Sequence, residues 1–167
     1  MTYYTLSDPC TATLEIKKSQ FLGFGFAIDS RELLMFHVEQ LRNQYPDARH
    51  VCYGYIIGDP HNTTSAGFDD DGEPSGTAGK PILNVLQHKG IGNCVVIVVR
   101  YFGGIKLGAG GLTRAYSSSA QAVVDNMNLH AFVPLSVIMI ETDFANESFV
   151  RHTLDGFNAT ILKVDYG

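Results

Sequence analysis

The feature that most constrains this chain is a run of six consecutive apolar residues, Cys94-Val95-Val96-Ile97-Val98-Val99, which leads into glycine-rich chain. A strand covered on one face alternates apolar and polar side chains, whereas a strand covered on both faces does not. Residues 93–101 are therefore predicted to form a strand buried on both sides. The loop that follows holds Gly103, Gly104, Gly108, Gly110 and Gly111. Beyond it a helix is predicted over residues 112–126, with Leu112, Ala115, Tyr116, Ser119 and Val123 on one face.

The other elements are arranged around that strand. In residues 11–17, Ala12, Leu14 and Ile16 alternate with Thr13 and Glu15, the period of a half-buried strand. Lys17, Lys18 and Ser19 make a polar break before a second strand over residues 21–28. Gly23 and Gly25 lie inside that strand and mark either a bulge or a close backbone approach. Asp29 and Glu32 have capping-box spacing, opening a helix that carries Leu34, Val38 and Leu41 and stops at Pro46. His37 lies beside that stripe and is expected to be a packed, partly buried imidazole. Residues 49–57 alternate again, with Val51, Tyr53, Tyr55 and Ile57 on one face.

Residues 58–80 read as a polar loop of a length that compact domains seldom leave without structure, and so as functional or mobile. Pro81 suits the first turn of a helix to about residue 88, ended by Gly90 and Gly92. Ser75 or Thr77 is a candidate cap for it. A domain boundary is expected at residues 130–134. Beyond it, residues 135–142, 146–156 and 160–166 read as strand, helix and strand. The expectation is an α+β chain with domains over residues 1–130 and 131–167.

Charge narrows the function. The chain has 17 acidic and 12 basic residues and a formal net charge of -5, which disfavours a general polyanion binder. Yet between Pro74 and Val124 there is no Asp or Glu, while Lys80, Lys89, Arg100, Lys106 and Arg114 all fall there. One part of an acidic protein is locally positive. The three cysteines include no CxxC pair, which points away from disulfides or zinc and toward a reducing compartment. Cys52 and Cys94 sit in apolar runs and read as small buried hydrophobes. No apolar run is long enough to span a bilayer, and a polar N-terminus with Asp8 and Glu15 is unlike a signal peptide, so a cytoplasmic location is expected.

Two motifs carry the chemistry. In the segment from Arg100 to Leu112, a buried strand enters a loop of small residues and then a helix. Glycines let backbone N–H groups approach a ligand, and a helix N-terminus favours anions. The spacing matches neither common nucleotide-binding fingerprint. An anion cradle and a tight turn that lets a helix pack closely on the sheet both remain open.

The second motif, Asp69-Asp70-Asp71-Gly72-Glu73-Pro74-Ser75-Gly76-Thr77-Ala78-Gly79, concentrates four carboxylates without the spacing of a calcium loop. Its acids either pair with Arg100 or Lys106 or do metal or acid–base work together with His50. Ser75, His50 and Asp70 make a Ser–His–Asp set on paper, but no nucleophile-elbow sequence surrounds Ser75.

With these residues the chain resembles the IMPACT/YigZ family. The matching positions are Ser19-Gln20-Phe21, His50, Asp71 to Gly79, Arg100 to Gly108, Gly110-Gly111-Leu112 and Ala115-Tyr116. The resemblance implies a first domain like domain 2 of ribosomal protein S5, a four-stranded sheet with two helices. It also implies a ferredoxin-like βαββαβ second domain, similar to the C-terminal part of elongation factor G. Eukaryotic members carry an extra domain before the motif region and regulate a kinase of translation initiation through its activator. This chain begins with the motif-bearing domain and so resembles the bacterial type. Only βαβ of the second pattern is present, so that domain is expected to be incomplete, with a sheet edge open to another chain.

No catalytic residue, metal ligand or cofactor follows from the resemblance. It places Asp71, Glu73, Arg100, Gly103, Gly104, Lys106 and Gly108 in the family's motif surface, and Lys80 and Arg114 join them from the acid-free stretch. The leading reading is a translation-linked binding protein whose partner is the ribosome, RNA or a translation-regulating protein, with a small anion at the glycine loop. The alternatives are a metal- or anion-dependent hydrolase using the acidic loop, and a protein–protein adaptor with no nucleic acid.

Overall fold

A computed structural model describes residues 2–62 and 65–167. The chain divides into two units, one up to Val133 and one over Pro134–Gly167. In the first, β1 (Tyr3–Leu6), β2 (Cys10–Ile16) and β3 (Ser19–Ala27) precede α1 (Arg31–Gln44). Then come β4 (His50–Ile57), β5 (Ser65–Asp69), α2 (Gly79–Lys89), β6 (Cys94–Tyr101), α3 (Gly108–Asp125) and β7 (Leu129–Phe132). Five strands form one antiparallel sheet in the order β2-β3-β6-β4-β5, and β1 pairs separately with β7.

The apolar run becomes the central strand β6, and its alternate residues serve two cores. Val96 and Val98 face α2 and α3, where they meet Phe21, Ile82, Leu86 and Tyr116. Val95, Ile97 and Val99 face α1 and meet Leu34, Val38 and Leu41. Double cover is why this antiparallel strand carries no polar residue from Cys94 to Val99. β4 does the same, with Val51, Tyr53 and Tyr55 in one core and Cys52 and Ile56 in the other.

The glycines of β3 mark close approach. A Cβ on Gly23 would lie 2.4 Å from Val123 Cγ2 of α3, and the ladder from β3 to β6 runs without a bulge. His37 stacks on Phe26 at 4.0 Å, and burial lowers its pKa. Burial pushes the Cys52 and Cys94 thiols well above their ordinary value, which suits packing rather than nucleophilic chemistry.

Several expectations are corrected. α1 is capped by Ser30, whose hydroxyl accepts from Leu33 N at 3.2 Å; the Asp29/Glu32 box is one residue out of register. The long loop contains β5, a short edge strand whose one large apolar residue, Phe68, is exposed (Thr63 and Thr64 of that loop lie outside the described residues). The sheet thus has one strand more than the four expected, and three helices cover it. α3 begins at Gly108, so three of the loop's glycines belong to its first turn.

The second unit contains a short 3-10 turn, Phe144–Asn146, and α4, Glu147–Gly156. Asp143 caps the turn by accepting from Asn146 N at 2.9 Å, and Phe144 stacks on Tyr166. The helix expected over residues 146–156 forms, but the strands expected over 135–142 and 160–166 do not. A strand exists only where a neighbour takes up its N–H and C=O groups, and no ladder occurs among the described residues of this unit. Leu135, Val137 and Met139, which alternate as a strand would require, are all exposed.

Candidate functional site

Both motifs come together at one end of the sheet because of register. Strand pairing sets His50 opposite Arg100 on one side and Phe21 opposite Arg100 on the other. Arg100 is therefore caught between β3 and β4 near the end of the central strand, and it is only 5% exposed. Glu73, 8% exposed, comes over from the acidic loop. Arg100 Nη1 donates to Glu73 Oε1 at 2.9 Å and to Oε2 at 2.8 Å, and Nη2 donates to Ser19 Oγ at 3.3 Å. The guanidinium carbon lies 5.6 Å from the Phe21 ring centre and 5.7 Å from that of Phe102, within cation–π range of both. His50 Nε2 sits 2.9 Å from Glu73 Oε1, and its Nδ1 is 2.8 Å from the Asp71 carbonyl.

The acids of the loop do separate jobs. Asp69 Oδ1 accepts from Asp71 N at 2.7 Å. Asp70 turns toward the start of α2 and accepts from Gly76, Ala78 and Gly79 N–H groups. That makes Asp70 the cap of α2; Thr77 instead donates to the Pro74 carbonyl, and α2 has no other side-chain cap. Asp71 Oδ2 accepts from Val51 N at 2.8 Å and from Arg42 Nη1 at 3.4 Å. Of the two cations considered from sequence, Arg100 is neutralised, and its partner is Glu73. The paper triad does not assemble, since His50 meets Asp71 and Glu73 while Asp70 faces the α2 amides. Each carboxylate already holds backbone or side-chain donors, and among the described residues no group of three His, Cys, Asp or Glu is placed to hold a metal ion.

Arg100 and Glu73 thus build the platform beneath the surface. The surface itself is made by other residues. Gly103 carries the loop against the turn between β2 and β3, where Lys17 and Lys18 have φ of 46° and 67°. Two positive φ values suit a tight hairpin, but Asn-Gly adopts them with less strain than lysine does. Ser19 Oγ accepts from Gly103 N at 3.3 Å. A Cβ on Gly103 would fall 2.0 Å from the Lys18 carbonyl carbon, a backbone atom that cannot step aside. Gly103→Ala is expected to cost about 1–3 kcal/mol through overpacking, read as a shift of the urea midpoint at unchanged slope.

Gly104 and Gly108 both have positive φ and bracket Ile105, Lys106 and Leu107. Lys80, Lys106 and Arg114 are exposed. Beside the turn, Lys17, Leu107, Gly111, Arg114 and Ser118 line a shallow groove of about 270 Å³. Sequence reasoning left out Lys17, Lys18 and Phe102. The polar break between two alternating segments was the signal for the lysine turn.

Residues 17–124 match the model of the Impact N-terminal domain. The chain belongs to the IMPACT family. The match spans every element of this end of the sheet, from the lysine turn to the last turns of α3. Among IMPACT-family relatives, YigZ of Escherichia coli (strain K12) is 37% identical over 158 residues, covering 95% of this chain and 78% of its own length. A Haemophilus influenzae member is 35% identical over 148 residues, covering 89% of this chain and 72% of its own length. The yeast protein described as an IMPACT homolog (Saccharomyces cerevisiae) is 30% identical over 124 residues, covering 72% of this chain and 46% of that protein. A crystal structure of a hypothetical protein superposes with a TM-score of 0.78 at 34% identity, covering 99% of this chain and 81% of that one. Among the described residues no helix is long and apolar enough to cross a membrane.

Proposed function

We propose that this IMPACT-family chain is a cytoplasmic, translation-linked binding protein that contacts RNA on the ribosome through the α2/α3 side of its first unit. The observation that carries the reading is the distribution of exposed charge. α2 and α3 pack together on one face of the sheet. Their sequences hold no acid before Asp125, and Lys80, Lys89 and Arg114 stand exposed on them. Lys106 and the Lys17–Lys18 turn extend the same sign of charge past the start of α3. Arg100 adds nothing to this surface, because its charge is buried and answered by Glu73.

A surface of this kind attracts phosphates without reading sequence. The first turn of α3, with Gly108, Gly110 and Gly111, lets a phosphate approach backbone N–H groups beside Arg114. A translation-regulating protein with an acidic face is the competing partner. The fold assignment belongs to the same reading: the first unit is taken as S5 domain 2-like and the second as part of a ferredoxin-like domain.

The test is co-sedimentation with ribosomes and with naked ribosomal RNA across a salt series, comparing wild type with the double variant Lys106→Ala/Arg114→Ala. Affinity is expected to fall steeply with salt, and the double variant is expected to bind more weakly with a salt slope lower by about one per cation removed. Binding that resists nuclease, or that ignores both substitutions, sinks the RNA reading.

A further inference from the structure

We infer that Phe102 is a stacking platform for an unpaired nucleobase, with Lys17, Lys18 and Lys106 holding the phosphates on either side of it. The inference rests on the RNA reading above and specifies the form of RNA: single-stranded where it touches this end of the sheet.

Phe102 is 54% exposed, although it follows directly on the most buried strand of the protein. A single exposed aromatic residue is ordinary. This one is held. Its backbone neighbours are anchored on both sides: Tyr101 pairs with Gln20 in the ladder, and Gly103 N donates to Ser19 Oγ. The Arg100 guanidinium lies 5.7 Å from its ring centre. Arg100 is itself fixed by Glu73 and Ser19 and rests against Phe21. The order from the core outward is therefore Phe21, Arg100, Phe102, and then solvent. A ring backed by an immobilised guanidinium and more than half exposed has room for a flat partner, at little cost in conformational freedom.

The surrounding charge identifies that partner. Gly103, the next residue, abuts the backbone of Lys18 at the hairpin tip, and Lys106 follows on the same loop, so three exposed lysines lie on the chain segments around Phe102. Two acids stand nearby: Glu15 accepts from Gln20 Nε2, and Asp47 accepts from the Tyr101 hydroxyl. They repel a polyanion from the Gln20–Tyr101 side and direct its backbone toward the lysines. Aromatic platforms flanked by cations bind single strands because every base has a face to stack, whereas a duplex keeps its faces occupied. An apolar protein side chain would also fit Phe102 but would leave the lysines without partners.

The protein has no tryptophan, so Phe102→Trp places one fluorophore at the site. The probes are a short single-stranded RNA, the matching duplex, and a strand of equal charge lacking bases. The single strand is expected to quench F102W emission, and neither the duplex nor the abasic strand is expected to do so at equal occupancy. Phe102→Ala, checked for fold by circular dichroism, is expected to weaken single-strand binding about tenfold while leaving abasic-strand binding unchanged. Equal quenching by all probes overturns the platform, and so does full affinity in F102A or Phe102→Leu; salt-dependent binding lost in K106A/R114A would then leave the RNA reading standing. If wild type binds none of the three probes at low salt, both readings fall together.

Discussion

Glu73→Ala is expected to lower the unfolding free energy by about 3–5 kcal/mol, a large part of what a domain of this size has. The substitution takes both oxygens away from Arg100 Nη1 and the acceptor away from His50 Nε2. The guanidinium is too buried for water to replace the lost carboxylate. An uncompensated charge among Phe21, Phe102 and Ser19 is the costly outcome, more than the loss of the pair itself. Glu73→Gln keeps the shape and one acceptor and should fall between. The joint variant Glu73→Leu/Arg100→Leu removes both charges and should recover much of the loss. Urea denaturation of these variants, with the single variants Glu73→Leu and Arg100→Leu added to close the double-mutant cycle, measures the coupling as non-additivity. A cost in E73A below about 1 kcal/mol would mean that the pair behaves like an exposed one, and it would remove the support assigned to Phe102.

The same cluster shows how far residues can be read before they are placed. The continuous run at residues 94–99 already pointed to a strand covered on both sides, because burial on two faces leaves such a strand no position for a polar residue. Leu34, Val38 and Leu41 required a helix stripe for a similar reason. β5 stayed hidden because Ser65-Ala66-Gly67-Phe68-Asp69 is an edge strand, specified by what β4 offers it more than by its own pattern. The start of α3 was hidden because three of its first four residues are glycines, which local preference assigns to a loop. Residues 135–142 and 160–166 showed the opposite error: periodicity without a ladder does not make a strand.

The candidate site divides in the same way. That acids could pair with Arg100 was legible as one of the readings left open, since four carboxylates preceded an acid-free basic stretch. Which acid does so was not. That choice depends on the positive φ of Asp71 and Gly72, and on a register that sets His50 across from Arg100. Arg100 was grouped with the acid-free basic stretch and the motif surface, because nothing within its own segment shows that it is covered. Its burial comes from β3 and β4, which the chain brings in from far away in sequence.

Asp70 gives the second large effect, and it tests the division of labour within the acidic loop. Its carboxylate accepts at 2.8 Å from Gly76 N, at 3.1 Å from Ala78 N and at 2.8 Å from Gly79 N. Ala78 and Gly79 are buried, so water is a poor substitute. Capping by a residue outside the helix arises because Ala78 occupies the cap position and has no acceptor of its own. The negative charge also lies at the end of α2 where the helix dipole favours it. Asp70→Ala leaves three donors without an acceptor, two of them buried, and at about 1–3 kcal/mol for a buried unsatisfied group it is expected to cost about 2–4 kcal/mol. Asp70→Asn keeps an acceptor without the charge and should cost about half as much. Hydrogen exchange separates this from a general loss of stability: the amides of Gly76, Ala78 and Gly79 should lose protection in D70A beyond what the global change explains. If the acid served a ligand instead, D70A would leave those amides and the urea midpoint unchanged, and the loop would need no Asp70 to hold Glu73 over Arg100.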